Sequence, residues 1–74
     1  MKMSIKHRLE KVKTSLAALT AEINAIQEEE AAFCEGSEDP ESSAVQSAEA
    51  VAERCGDIAE ALEDASAMIE ELVE

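Results

Sequence analysis

Between Ile5 and Phe33 the large apolar residues fall at Ile5, Leu9, Val12, Leu16, Leu19, Ile23, Ile26 and Phe33, in steps of 4, 3, 4, 3, 4, 3 and 7. The last step skips one seam position, which is Glu30. Steps of three and four held for about four heptads, with no Gly or Pro between them, are the signature of a heptad stripe on an amphipathic helix. The alternation a strand needs is absent. The pattern predicts helix 1 over about residues 4–35, with a stripe that has to be laid against another surface.

The second half carries a similar pattern. One stripe runs through Ala44, Ala48, Val51, Cys55, Ile58, Leu62, Ala65, Ile69 and Leu72, and a second line beside it through Val45, Ala52, Ala59, Ser66 and Val73. Together they widen the apolar face beyond a two-stranded seam, so helix 2, over about residues 40–73, is expected to meet more than one neighbour. Gly56 is expected on its outer side, where it weakens the helix by about 1 kcal/mol relative to Ala.

The punctuation between the helices is Glu35-Gly-Ser-Glu-Asp-Pro-Glu-Ser-Ser43. Gly36 suits the left-handed position just past a helix end. Asp39, Pro40 and Glu41 fit an N-cap, a first helical position and an acidic first turn. The expected loop is therefore residues 36–39, and so short a connection joins antiparallel neighbours. At the other end Ser4 is the candidate cap of helix 1, with His7 where a capping box has Glu or Gln. The expected fold class is all-α: an antiparallel two-helix hairpin forming a single domain over residues 1–74. Two thin rods leave one side of both stripes wet, and a chain of this length buries little on its own. A second hairpin that completes a four-helix bundle is the natural repair; a hairpin completed by a different protein is the alternative.

Charge adds an asymmetry. The chain holds 18 acidic and 6 basic residues, for a formal net charge of −12. Five of the six basic residues (Lys2, Lys6, Arg8, Lys11, Lys13) lie in the first thirteen positions, opposed only by Glu10. From Thr14 to Glu53 there is no Lys or Arg and there are ten acidic residues, seven of them between Glu28 and Glu41. Folding back sets the basic start of helix 1 beside the acidic end of helix 2, where each compensates a charge poorly placed for its own helix dipole. Such acidity argues against direct binding to nucleic acid or to an anionic membrane, both of which attract Lys and Arg. It suits a basic surface on a protein partner, and it also serves solubility. No apolar run exceeds four residues, as at Leu16 to Leu19, and the basic start lacks an apolar core segment, so neither a membrane span nor a signal peptide is expected. A cytoplasmic location is the corresponding expectation.

Residues with chemical potential are few. His7 is the one histidine and falls at an outward heptad position; a di-iron bundle needs Glu-x-x-His pairs, which are absent. Cys34 and Cys55 lie about 22 Å apart along the hairpin, too far for a disulfide. Cys55 reads as a small core residue. Cys34, among carboxylates, is expected to have a raised pKa and blunted reactivity. No nucleophile, metal set or tuned acid is apparent, so no enzyme activity, cofactor or metal is expected. Glu30 at a seam position reads as a frayed seam, with a register device or a contact to a cationic partner as the sharper alternative.

Glu28-Glu-Glu-Ala-Ala-Phe33, the Pro40-Glu41 step and Glu53-Arg-Cys-Gly-Asp-Ile-Ala-Glu-Ala-Leu-Glu-Asp-Ala65 resemble a loose group of small acidic helical-hairpin proteins of phages and prophages. The resemblance implies a phage or mobile-element origin and supplies no catalytic residues. The functional expectation is a non-enzymatic, homodimeric interaction protein that binds a basic, nucleic-acid-binding surface of a host or defence protein, as an inhibitor would. Its candidate partner-binding residues are Glu28, Glu29, Glu30, Glu35, Glu38, Asp39 and Glu41. The alternative is a small structural or assembly protein whose apolar stripe completes a bundle with a partner helix.

Overall fold

A computed structural model describes residues 1–74, and it shows two helices packed side by side as a hairpin with no strand. Helix α1 spans Met3–Gly36 and helix α2 spans Ser43–Val73. Of 65 backbone hydrogen bonds, 59 lie within the helices, so the loop and caps carry only a handful. The rod measures 56 × 14 × 14 Å, close to the length expected of a 34-residue helix at 1.5 Å per residue.

Three contacts fix the direction and register. The Lys13 ammonium lies 3.4 Å from the Glu70 carboxylate, the Gln27 amide lies beside Gly56, 3.6 Å from where a Cβ would stand, and the Cys34 thiol points at the Val45 carbonyl, 3.7 Å away. Positions rising along α1 meet positions falling along α2, so the helices are antiparallel.

The connection differs from the expected one. Gly36 is the last residue of α1 and not a left-handed cap, because no glycine has positive φ. The chain leaves the helix at Ser37 with extended angles (φ −82°, ψ 138°), and the Ser37 amide closes the last turn on the Cys34 carbonyl at 3.4 Å. Nor is Asp39 the N-cap of α2. Its carboxylate accepts from the Glu41 amide at 3.1 Å, and its carbonyl accepts from the Ser42 amide at 3.2 Å, a turn with Pro40 at its second position. The cap is Ser42, whose hydroxyl accepts from the Val45 amide at 3.2 Å. The loop is therefore residues 37–42, and α2 starts at Ser43. Ser4 likewise sits inside α1, where Lys2 is the N-cap and offers no side-chain bond.

The seam is rotated from the stripe read in the sequence. Four residues are fully buried, Val45, Ala48, Cys55 and Ala59, and all belong to α2. On α1 the half-buried positions are Lys6, Leu9, Lys13, Leu16, Thr20, Ile23, Ile26, Gln27, Glu30 and Cys34. Residues seven apart share a line along a helix in a packed pair. Leu9, Leu16, Ile23 and Glu30 form one inner line of α1, and Lys6, Lys13, Thr20, Gln27 and Cys34 form the other. The remaining line of the expected stripe stays mostly outside: Ile5, Val12, Leu19 and Phe33 are 40, 47, 53 and 50% exposed, and Ile26 is half-buried. On α2 the line Val45, Ala52, Ala59, Ser66, Val73 turns inward, and Val51, Ile58 and Leu72 turn out, at 42, 44 and 61% exposed.

Three polar groups of this inner line of α1 have partners. Lys13 has Glu70, Thr20 bonds back to the Leu16 carbonyl at 2.8 Å, and Cys34 has the Val45 carbonyl. Gln27 packs beside Gly56, where an added Cβ would lie 3.6 Å from its amide nitrogen. Gly56 is thus at the edge of the helix–helix contact, not on the outer side. No buried side-chain polar atom lacks a partner. The Lys13–Glu70 pair, with both side chains more than a third exposed, adds at most about 1 kcal/mol and acts mainly on register.

These assignments are tested by denaturation. Ser42→Ala is expected to lower stability by about 1 kcal/mol through the lost cap, whereas Asp39→Ala should cost clearly less. Val45→Ala, at the most buried side chain, is expected to cost about 2 kcal/mol for the lost methyl groups and the space they leave. A larger loss at Asp39 than at Ser42 would return the cap to Asp39.

Candidate functional site

The hairpin gathers the seven candidate carboxylates at one end of the rod. α1 delivers Glu28, Glu29, Glu30 and Glu35 in its last two and a half turns, and the loop adds Glu38, Asp39 and Glu41. Six of the seven are exposed; Glu30 is half-buried on the inner line beside α2. The seam does not fray there, since Cys34, one turn further along α1, still meets the Val45 carbonyl of α2. None of these carboxylates has a cation in salt-bridge reach; the one ion pair between side chains is Lys13–Glu70, at the opposite end. Residues 21–56 together carry −9, against −3 for the remainder.

The last turn of α1 holds no basic residue, so its free carbonyls add negative potential to the same end. A tip of this kind attracts Lys and Arg on another molecule, with a strength that falls as salt rises.

Cys34 reports on this field. Its thiol is half-buried under Val45. Desolvation first, and then the charges of Glu49, Glu30 and Glu35, push its pKa above the ordinary thiol value. Glu49, from the start of α2, is the contributor that the list of candidates omitted; only the folded-back geometry puts it beside Cys34, although its place in the cation-free tract was visible. Cys55 is buried, and both thiols are free. His7 is exposed, and no three His, Cys, Asp or Glu side chains converge as a metal site. The surface depressions are shallow and lie at the terminal end, around residues 3–17 and 66–74. No helix is long and apolar enough to cross a membrane.

The raised Cys34 pKa has a kinetic consequence. With less thiolate present at pH 8 than an unperturbed thiol would show, alkylation by iodoacetamide is expected to run slower than for glutathione and to climb as pH rises past 9. Glu49→Gln should speed it partway, because it removes one of the charges but leaves the burial. Peptide mapping separates the result from Cys55. An alkylation rate equal to that of glutathione would contradict the assignment.

No protein-family model matches the chain, and no curated protein or solved structure matches it significantly.

Proposed function

We propose that this protein is a non-enzymatic acidic interaction protein that works as a homodimer. Its loop end, Glu28 to Glu41, engages a basic surface of another protein. The partner that fits such a tip is one whose own ligand is polyanionic, and the effect of occupying its groove is inhibition. In the phage setting that the sequence resembles, that partner is a nucleic-acid-binding host or defence protein in the host cytoplasm. The observation carrying this reading is the collection of seven carboxylates at one tip with no cation to neutralise them. The exposed row of Val12, Leu19, Phe33, Val51, Ile58 and Leu72 favours a second reading, a structural protein that completes a helical bundle with a partner helix.

The two readings separate in one experiment. The chain and a variant with Glu28, Glu29, Glu38, Asp39 and Glu41 changed to Lys are used as baits in host lysate at low and high salt, with circular dichroism confirming equal helicity. The proposal expects a protein retained by the wild type, lost with the variant, eluted by salt, and hindered in binding nucleic acid. Capture that is indifferent to the charge reversal supports the bundle reading instead. Capture by neither bait counts against both.

A further inference from the structure

The exposed apolar row lies on one face of the hairpin, and both helices contribute to it. On α1 the line Ile5, Val12, Leu19, Ile26, Phe33 flanks the inner pair of lines on one side; Met3, Glu10, Ala17, Asn24 and Ala31 flank it on the other. On α2 the corresponding flanks are Ala44, Val51, Ile58, Ala65, Leu72 and, opposite, Glu49, Gly56, Glu63, Glu70. The groove that brings Glu10 and Ala17 of α1 together with Glu70 of α2 shows that these second flanks share a face. The Lys13–Glu70 and Gln27–Gly56 contacts lie on that same side. The two apolar lines therefore share the opposite face, so one side of the hairpin carries bulky apolar residues and the other small residues with Glu10, Glu49, Glu63 and Glu70.

We infer that a second copy of this chain covers the apolar face in antiparallel orientation, with the two hairpins related by a two-fold axis across the middle of the rod. The inference rests on the homodimer proposed above and adds its face and direction. Size supports it: a side 56 Å long and 14 Å wide is of the order of the roughly 800 Å² per partner that a standard interface buries. Register supports it as well. Pairing Lys13 with Glu70 and Gln27 with Gly56 puts Leu19 and Ile26 level with Ala65 and Ile58. An axis between those levels sets Leu19 of one copy against Ile26 of the other, Val12 against Phe33, Ile58 against Ala65 and Val51 against Leu72, so the apolar lines meet along their length. Charge decides the direction. A parallel pair would bring two ends of −9 together, whereas the antiparallel pair sets each against an end of −3 that holds Lys2, Lys6, Arg8, Lys11 and Lys13. Arg8, on the rim of the apolar face, then falls near the level of the partner copy's acidic tip. The assembled rod presents one acidic tip at each end.

The test uses the full chain. Sedimentation gives the mass. Pulsed electron-spin resonance on Ser43→Cys, spin-labelled in a Cys34→Ser, Cys55→Ala background, gives the direction. The expected result is a dimer with labels on the order of 50 Å apart, a separation of some 35 helical residues. Leu19→Glu and Ile58→Glu are expected to weaken dimerisation by about two orders of magnitude or more by burying unpaired charge. Ala17→Glu, on the opposite side, should leave it unchanged. A dimer whose labels lie within about 20 Å, two helix diameters, would overturn the antiparallel arrangement while leaving the homodimer standing. A dimer undisturbed by both Glu substitutions, or broken by Ala17→Glu, would overturn the choice of face. A wild-type chain that stays monomeric would overturn the inference and the homodimer together, and the acidic-tip proposal would still be judged by its own binding test. The label distance is read on an intact interface, so it decides the direction even if the Glu variants unfold on losing their partner.

Discussion

Val45, Ala48, Cys55 and Ala59 of α2 are buried by a helix that has no fully buried residue of its own. The contact is one of long side chains over short ones. Leu9, Leu16 and Ile23 from α1 lie over a surface of Ala, Cys and Val, and the small residues let the helices pack closely. Because this seam is the single tertiary contact of the hairpin, it fixes everything else: the rotation of each helix, the side on which charges gather, and the side on which bulky apolar groups remain. The loop contributes little beyond joining the ends.

The rotation has a cost and a compensation. Turning the small-residue line of α2 inward brings Lys13, Thr20, Gln27 and Cys34 of α1 against it, four polar side chains at a helix–helix contact. Three of them find a partner: a carboxylate on the rim for Lys13, its own helix's carbonyl for Thr20 and a carbonyl across the seam for Cys34; Gln27 lies beside Gly56. Gly56 lies beside that amide, and a methyl group there would meet it at an ordinary contact distance of 3.6 Å. The seam tolerates these groups because it is narrow and none of the four is fully buried.

The two helices, their antiparallel return and the acidic tip were legible in the sequence, because they depend on heptad spacing, a short polar interruption and the placement of charge. The seam's rotation was not. Large residues dominate a periodicity, so Ile5, Val12, Leu19 and Phe33 marked the stripe, whereas packing selected the line where helices approach most closely, occupied by Ala, Ser and Val. Similarly, Asp39-Pro40-Glu41 has the composition of a helix start; the Asp39 carboxylate and carbonyl instead close a turn around Pro40, and Ser42 three residues later does the capping. In both cases two local solutions were compatible with the text and the three-dimensional fit selected between them. The role of Glu49 was not legible for a related reason: its proximity to Cys34 arises only when the chain folds back.

What the hairpin leaves outside is informative about its end state. A large aliphatic or aromatic side chain gains roughly 1.5–3 kcal/mol on full burial, so one held half-exposed forgoes on the order of 1 kcal/mol. Ile5, Val12, Leu19, Phe33, Val51, Ile58 and Leu72 are each at least 40% exposed. Together they withhold an amount comparable to the whole stability of a small domain, about 5–15 kcal/mol. Scattered singly, such residues would need no explanation. Here they recur at heptad spacing on both helices and on one side, while the other side holds small residues and Glu10, Glu49, Glu63 and Glu70. A chain that assigns its short side chains to the internal seam and its long ones to an outer face divides its apolar material between the hairpin contact and the face inferred above to be covered by a second copy. The first makes a hairpin. The second is of the size and chemistry that another helical surface requires, and the uneven charge along the rod gives that surface a preferred direction.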